Sequence, residues 1–435
     1  MRTFLLIAAF AFRLPAADTP KYTGPGSCAS PNCHGGVQPR SDNSVWQNEY
    51  STWVVKDKHA QAYTVLSNPV AVRMARILGL PSADTAPKCL ACHALDVPAD
   101  LRARTFDPAD GVGCENCHGP ASIWLGPHTT KTWTHQQSIE AGMYDVRDLV
   151  HRSERCLSCH IGTREKFVDH EMIAAGHPDL YFELASFSAV MPRHWKEPFD
   201  KDPPNPDTHT NDPRIDVRAL AVGQAVQLRE ELRRLSRESK DGVWPEYAEL
   251  DCFACHHSLT AAKDSWRQER GYPGRRPGNP PWNLSRYVIL RHVADETDRP
   301  NAQQLESGIK TVYALVSALA LDRVQISAQS ASLAEVADRI ASRLNTTAFD
   351  VPMTQRLLRS IAADYDIAAQ GERSAEQAAM ALDSLYVAYS RSAPAANGDQ
   401  VRASIQALFR QLDDPSTYNG PRFAQALRQV SDLLK

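Results

Sequence analysis

The sequence predicts a mainly α-helical protein in two parts: a loop-rich first part with short helices, and a second part that forms a helical bundle. Two observations support this prediction. All ten cysteines and all fifteen histidines lie before residue 293, among segments rich in proline and glycine. Residues 301–435 contain no cysteine, histidine or tryptophan, and their apolar residues recur at helical spacing. The length of 435 residues allows two or three domains.

Residues 1–17 have the pattern of a secretory signal peptide. Arg2 supplies a positive charge, residues 4–12 form a short apolar run, and Ala16 and Ala17 offer small residues for cleavage. The run is too short to cross a bilayer, and an uncleaved N-terminal anchor is the alternative. No other apolar run approaches membrane length. We therefore expect export to the periplasm or the extracellular space, with no membrane span in the mature chain.

Five motifs that each end in histidine use all ten cysteines. Four have the spacing C-x-x-C-H, and the first has the longer spacing C-x₄-C-H. The cysteine pairs are Cys28 and Cys33, Cys89 and Cys92, Cys114 and Cys117, Cys156 and Cys159, and Cys252 and Cys255, followed by His34, His93, His118, His160 and His256. C-x-x-C-H is typical of c-type haem attachment, in which both thiols bond the haem and the histidine binds its iron. The motifs predict five covalent haem c groups in a loop-rich cytochrome c domain at residues 18–300, followed by a haem-free α-helical domain at 301–435.

Other uses of paired cysteines fit the sequence less well. A zinc site would not need a histidine directly after each second cysteine. A disulfide scaffold is typical of short chains that lack a core, and a thioredoxin-like site needs only one C-x-x-C. For Cys28 and Cys33, whose spacing is rarer, a disulfide remains the alternative.

The sixth ligand of each iron decides its chemistry. A second histidine leaves the haem able only to transfer electrons, whereas an open position lets a small substrate bind. Ten further histidines are available: His59, His128, His135, His151, His170, His177, His194, His209, His257 and His292. We expect the sixth ligands among His59, His128, His170, His177 and His257, because they lie close to the motifs or in turns and helices that present a ring. Met143, Met172 and Met191 are weaker options.

The remaining apolar patterns predict helices. Residues 216–239 form one long helix with its charges opposite the apolar stripe. Residues 354–370 and 374–390 form two more. Four further stripes run from Leu305 to Leu319, Leu333 to Leu344, Val401 to Leu412 and Phe423 to Leu434. The simplest role for this bundle is a structural cap, and the alternative is a docking surface for a partner.

The motifs and their surroundings resemble multihaem cytochromes c of the cytochrome c-554 type, which are small tetrahaem electron carriers of nitrifying bacteria. The resemblance covers roughly residues 22–260 and rests on segments 28–36, 113–120, 156–162, 174–183 and 244–259. It implies closely stacked haems, mostly with histidine on both sides of the iron, and one five-coordinate haem in some relatives. This chain departs from the type in its five motifs and its added helical region.

The sequence therefore favours an electron carrier over an enzyme. The carrier would pass electrons between redox partner proteins, such as a quinol-linked donor and a terminal reductase. The alternative is an oxidoreductase that acts on a small nitrogen oxyanion or hydroxylamine at one open haem, with Arg193 and His194 supplying charge and protons. A third possibility is a component of a larger cytochrome assembly. The net charge of −3 and the lack of a basic patch argue against nucleic acid as a partner.

Overall fold

The computed structural model describes residues 19–40, 45–163, 166–196, 214–252, 255–256, 272, 276, 279–394, 396–414 and 417–435. The predicted signal peptide lies outside this part of the chain. The described residues are mainly helical, and their β-structure is limited to two isolated bridges, Tyr22 with Arg102 and Leu250 with Trp282. The predicted fold class, mainly α, is thus confirmed.

The first part of the chain contains short helices joined by turns. They are α1 (Glu49–Lys56), α2 (Pro69–Ile77), α3 (Pro87–His93), α4 (Cys114–His118), α5 (His135–Glu140), α6 (Leu149–His160), α7 (His170–Ala175) and α8 (Leu184–Val190). Several begin at side chains that accept hydrogen bonds from the first turn, such as Asp148 before α6 and Asp169 before α7. Gly176 ends α7 in the left-handed conformation with φ of 116°, which glycine adopts without strain.

The long predicted helix is present as α9 (Ile215–Asp241), but its charged side is not exposed. Arg229 and Glu231 are 2% and 3% exposed. The reason is that α9 has neighbours on several sides: α6 and α8 from the first part, and helices that follow it in the chain. A single apolar stripe in the sequence could not reveal that the opposite side is also covered.

Most helices after α9 follow the predicted stripes, but the single helix predicted at 354–370 is divided into two shorter helices. The helices after α9 are α10 (Leu290–Thr297), α11 (Arg299–Val316), α12 (Arg323–Thr346), α13 (Val351–Ala362), α14 (Asp366–Ala369), α15 (Glu372–Ser392), α16 (Gly398–Phe409) and α17 (Gly420–Leu433). Leu305, Leu333, Val401 and Phe423 are all buried, as predicted. Leu319 is not, because α11 ends at Val316 and leaves this side chain 82% exposed.

The apolar core is distributed unevenly along the chain. One continuous core runs from Leu149 in α6, through α9, to Val430 in α17. Before residue 149 the described residues form only a small cluster, made of Leu66, Ala75 and Ala83. The first part therefore lacks a conventional apolar core of its own, while α9 belongs to the same core as the helices beyond residue 300. The division into domains at residue 300 stays a prediction. No helix among the described residues has the length and apolar character that a membrane span requires.

Candidate functional site

Three of the cysteine motifs lie at the ends of helices. The helices α3, α4 and α6 end at His93, His118 and His160, respectively. Residues three apart lie on the same side of a helix, so each helical C-x-x-C directs both thiols toward one side. All ten cysteines, each within the described part of the chain, are free thiols and are available for covalent attachment.

The first and last motifs have other local structures. A 3-10 turn over Pro25–Cys28 precedes the first motif, and the backbone N–H of His34 donates to the carbonyl of Cys28 over 3.3 Å. In the last motif the N–H of His256 donates to the carbonyl of Cys252 over 2.8 Å. Both turns return the histidine to the vicinity of the first cysteine, as the helical motifs do.

Four of the five motif histidines face a second histidine from a distant part of the chain. His34 faces His128, His160 faces His59, His93 faces His177, and His256 faces His170. The ring centroids are 6.2, 6.2, 6.4 and 6.2 Å apart in these pairs. Four of the five expected sixth ligands thus lie opposite motif histidines.

The separation in these pairs fits one metal ion between two imidazoles. A metal–imidazole bond is about 2 Å long and the ring centroid lies about 1 Å beyond the nitrogen, so two rings on one ion have centroids roughly 6 Å apart. The histidine pairs and the adjacent thiols therefore fit a haem whose iron has an imidazole on each side.

Hydrogen bonds at Nδ1 orient many of these rings. Glu49 and Asp57 accept from the Nδ1–H of His34 and His59, each over 2.9 Å. Backbone carbonyls accept from the others: Ala62 from His93 over 2.8 Å, Trp124 from His128 over 3.1 Å, and Pro178 from His177 over 2.8 Å. Because carbonyl and carboxylate oxygens only accept, Nδ1 carries the proton and Nε2 has a free lone pair, the arrangement of a metal-binding histidine.

Two other histidines are engaged differently. His135 and His292 use Nε2 to contact Asp145 and Asp364, at 3.2 and 2.8 Å. Their Nε2 atoms are therefore occupied, and neither ring is paired with a motif histidine. His209 and His257 lie outside the described residues, so the prediction that His257 is a sixth ligand stays untested.

The first four motifs lie close to one another. The thiol of Cys28 lies beside that of Cys114, and the thiol of Cys92 lies beside that of Cys159. The Cys117 side chain is exposed, yet the surrounding protein raises the pKa of its thiol to about 11. The two observations are consistent if the Cys117 side chain faces an empty space that surrounding protein atoms enclose on most sides. The motifs thus surround shared internal spaces, where closely packed haems fit.

The third motif is the exception. Among the described ring pairs, none includes His118. Burial, with a smaller contribution from nearby His194, lowers the pKa of His118 to about 4. His194 donates Nδ1–H to the carbonyl of Pro192 over 3.3 Å, so its Nε2 is also free. The part of the structure described here brings no second imidazole to the metal-bridging distance from His118.

Sequence reasoning missed the groups that hold these histidines and motifs in place. Asp57 lies only two residues before His59, a local signal that could have been found, whereas Glu49 reaches His34 only through the fold. Glu115, between Cys114 and Cys117, is 2% exposed and accepts from the N–H groups of Thr23, Gly24 and Ala121. Glu115, which occupies one of the two unspecified positions of C-x-x-C-H, therefore holds the third motif against the N-terminal segment.

Free paired thiols, each with an adjacent histidine, and opposed imidazoles at metal-bridging distance define a c-type cytochrome. Residues 28–119 match the family described as cytochrome c554 and c-prime, and this segment contains the first three motifs. Over this segment, which is about a fifth of its length, the chain is similar to c-type cytochromes of the cytochrome c554 family. No curated protein and no solved structure matches it.

Proposed function

We propose that the protein is an exported pentahaem electron carrier, four of whose haems have histidine on both sides of the iron. The observation that carries this proposal is the set of four histidine pairs with centroids 6.2 to 6.4 Å apart. Haem c supplies a reversible one-electron iron couple when bound. Saturated axial positions favour electron transfer over substrate binding. The partners would be other redox proteins.

The residues of this chain have three roles in the proposed carrier. The cysteine pairs would hold each haem covalently, and the histidine pairs would fix its axial ligation. Glu49, Asp57 and the backbone carbonyls keep the imidazoles in one tautomer and orientation, so ligand geometry changes little with oxidation state. Cys28 lies beside Cys114 and Cys92 lies beside Cys159, so neighbouring attachment sites are close, as transfer between haems requires.

Export is supported by two independent features of the chain. The N-terminal sequence has the charge, apolar run and small residues of a signal peptide. The family to which residues 28–119 match is a c-type cytochrome family, and c-type haem is attached outside the cytoplasm. We propose the periplasm or the extracellular space as the location.

One observation favours a second function, an oxidoreductase active at the third haem. His118 has no opposing imidazole among the described residues, and an iron held by His118 alone would have an open position. A small nitrogen oxyanion or hydroxylamine fits such a position by size and ligand character. The remaining four haems would then supply or remove electrons.

The test is to count the haems and their spin states on the purified mature protein. Mass spectrometry should show five haems, and the double variant Cys28→Ala/Cys33→Ala should lose one of them. Low-temperature EPR should show at least four low-spin ferric haems, and the spin state of the fifth shows whether a second ligand faces His118. Four or fewer haems in the wild type, or fewer than four low-spin signals, would overturn the proposed arrangement.

The same sample separates the two functions. Nitrite or hydroxylamine should be added to the fully reduced protein while the haem absorption is followed. Reoxidation with turnover would make the third haem an active site. Unchanged spectra, with electron transfer to a soluble redox protein retained, would leave the carrier as the sole function.

A further inference from the structure

A cluster of charged side chains surrounds a cavity beside α9 and includes none of the paired histidines. The cavity has a volume of about 30 Å³, which has room for about one water molecule. The charged residues that line the cavity are Asp179, Glu231, Arg234, Glu249, Arg286 and Arg373. Buried charges are costly unless they are paired, so each member of the cluster should have a partner.

The three arginines do have partners. Arg234 donates to Glu249 over 2.5 Å and to the carbonyl of Ile161 over 2.6 Å. Arg286 donates to Gln227 over 3.2 Å and to the carbonyl of Leu180 over 2.9 Å. Arg373, which comes from α15, forms an ion pair with Asp179.

Glu231 is the member without a dedicated partner. It is 3% exposed, and its Oε2 atom is buried with no hydrogen-bond partner. Burial and, to a smaller extent, the nearby charge of Glu249 raise the pKa of Glu231 to about 8. The positive charges of Arg286, Arg234 and Arg373 lower this pKa but offset the increase only in part. A buried carboxyl that gains and loses its proton near neutral pH is sensitive to any change of charge nearby.

The cavity is lined by residues that are neighbours in the chain of residues at two proposed haem sites. Ile161, whose carbonyl Arg234 contacts, directly follows His160. On another side, Ala248 follows Tyr247, whose ring lies 5.6 Å from that of His170, the partner of His256. Arg373 also donates to the carbonyl of Ala248 over 3.4 Å, four residues before Cys252 of the last motif. The cluster therefore contacts the chain next to both the fourth and the fifth haem sites.

We propose that Glu231 is a proton-binding site coupled to reduction of the haems held by His160 and His256, an inference that rests on the proposed function. Each reduction removes one positive charge near the cavity. The carboxylate is then less stabilised, so the first of the two reductions, by one electron from a redox partner, is accompanied by binding of one proton from solvent to Glu231. Oxidation releases both. The protein would thus transfer protons together with electrons.

Other titratable groups face Glu231 and bear on the test. They are Glu249 from the segment before the last motif, Arg234 on α9 itself, Arg286 from the segment before α10 and Arg373 from α15, with Asp179 from the loop after α7 lining the same cavity. Glu376, also on α15, interacts with the same Arg286 and Arg373. Glu376 is the main competitor, because burial raises its pKa to about 7, with help from Glu372 and Asp179. Glu249 is committed to Arg234 and is a weaker candidate.

The experiment is spectroelectrochemical titration of the mature holoprotein as a function of pH. In the wild type, the midpoint potential of the fourth or fifth haem should fall with rising pH around pH 8. The slope should approach about 59 mV per pH unit, the value for one proton per electron. In Glu231→Gln the slope in this range should vanish. Glu335→Gln, a change at a carboxylate that is 65% exposed on α12, should keep it.

Three outcomes are informative. A slope retained in Glu231→Gln but lost in Glu376→Gln would overturn the proposal. If Glu231→Gln does not fold, the test is instead to measure proton uptake while the wild-type protein is reduced near pH 8. The absence of proton uptake would overturn the proposal. A protein that lacks the fourth and fifth haems in mass spectrometry would instead contradict the proposed function.

Discussion

The imidazole rings of His34 and His128 lie parallel, with an interplanar angle of 3° and centroids 6.2 Å apart. The rings of His59 and His160 lie at the same separation but at 87° to each other. The plane of an axial imidazole determines which iron d orbital it raises. Parallel rings act on the same orbital, whereas perpendicular rings act on different ones and leave the orbitals nearly equal in energy.

The first prediction is that EPR of the ferric protein shows two kinds of low-spin haem. The near-parallel pair at His34 should give a rhombic signal, and the near-perpendicular pairs at His160 and His93, with angles of 87° and 86°, should give signals with a large maximal g value. Spectra recorded below 20 K on the oxidised protein test this. A single class of low-spin signal would contradict these ring orientations.

The second prediction concerns the sixth ligand of the first haem. In His128→Met, the rhombic low-spin signal should change and the potential of one haem should rise, because thioether ligation raises the potential relative to imidazole. His135→Met is the matched control, since the Nε2 of His135 is already engaged by Asp145. Potentiometry followed by visible absorption measures both, and equal shifts in the two variants would refute the assignment.

The third prediction concerns the carboxylate behind His59. Asp57 accepts from Nδ1 of His59, which makes the ring a stronger donor to an oxidised iron. Asp57→Asn should therefore raise the potential of the haem at His160. An effect of 10- to 100-fold on relative stability corresponds to about 60–120 mV. Asp145→Asn, beside His135, should leave all potentials unchanged, and redox titration distinguishes the two variants.

The fourth prediction concerns the anchor of the third motif. Glu115 accepts backbone hydrogen bonds from Thr23 and Gly24 of 2.8 and 2.6 Å, and from Ala121 of 2.8 Å. Glu115→Gln removes the charge while keeping the shape, and should cost about 2–3 kcal/mol because hydrogen bonds to a charged group are strong. Denaturant unfolding of the holoprotein tests this. Glu140→Gln, at an exposed carboxylate, should change stability by less than about 0.5 kcal/mol.

The fifth prediction compares two leucines that both belong to predicted apolar stripes and that the helical pattern alone therefore predicts to be buried. Leu228→Ala in α9 should destabilise the protein by about 2–5 kcal/mol, because Leu228 is fully buried and truncation leaves a cavity. Leu319→Ala should have almost no effect, since the side chain is 82% exposed. Thermal unfolding followed by circular dichroism measures both. Similar losses in the two variants would show that Leu319 is packed after all.

Local features were predictable from the sequence, and long-range ones were not. The spacing of Cys89, Cys92 and His93 is enough to predict that their side chains lie close together, because the three residues share about one helical turn. The stripe that begins at Leu305 likewise reports a helix with one covered side. By contrast, the pairing of His34 with His128 depends on the whole fold. No sequence pattern near His118 shows that, among the described residues, its ring has no facing imidazole.

The burial of α9 illustrates a second limit of sequence patterns. Hydrophobic periodicity assumes that charged residues face solvent, but Arg229 and Glu231 face other helices. Ion pairs and hydrogen bonds satisfy Arg229, for example with Glu154 over 2.6 Å and Asp338 over 2.5 Å. Partners that lie far away in the chain make such burial possible, and a single helix does not show them.

The histidine pairs also interleave along the chain, which has a topological consequence. The partners lie 84 to 101 residues apart, and each of the four spans overlaps the next one: 34–128, 59–160, 93–177 and 170–256. If a haem joins the two histidines of each pair, every span becomes a closed ring of backbone. Each ring then shares a segment of the chain with the next ring. A cross-link that closes a ring of about 100 residues removes about 4–5 kcal/mol of chain entropy from the unfolded state. Because neighbouring rings share a segment of backbone, we expect the loss of one haem to reduce the constraint on the unfolded chain around the next haem site as well.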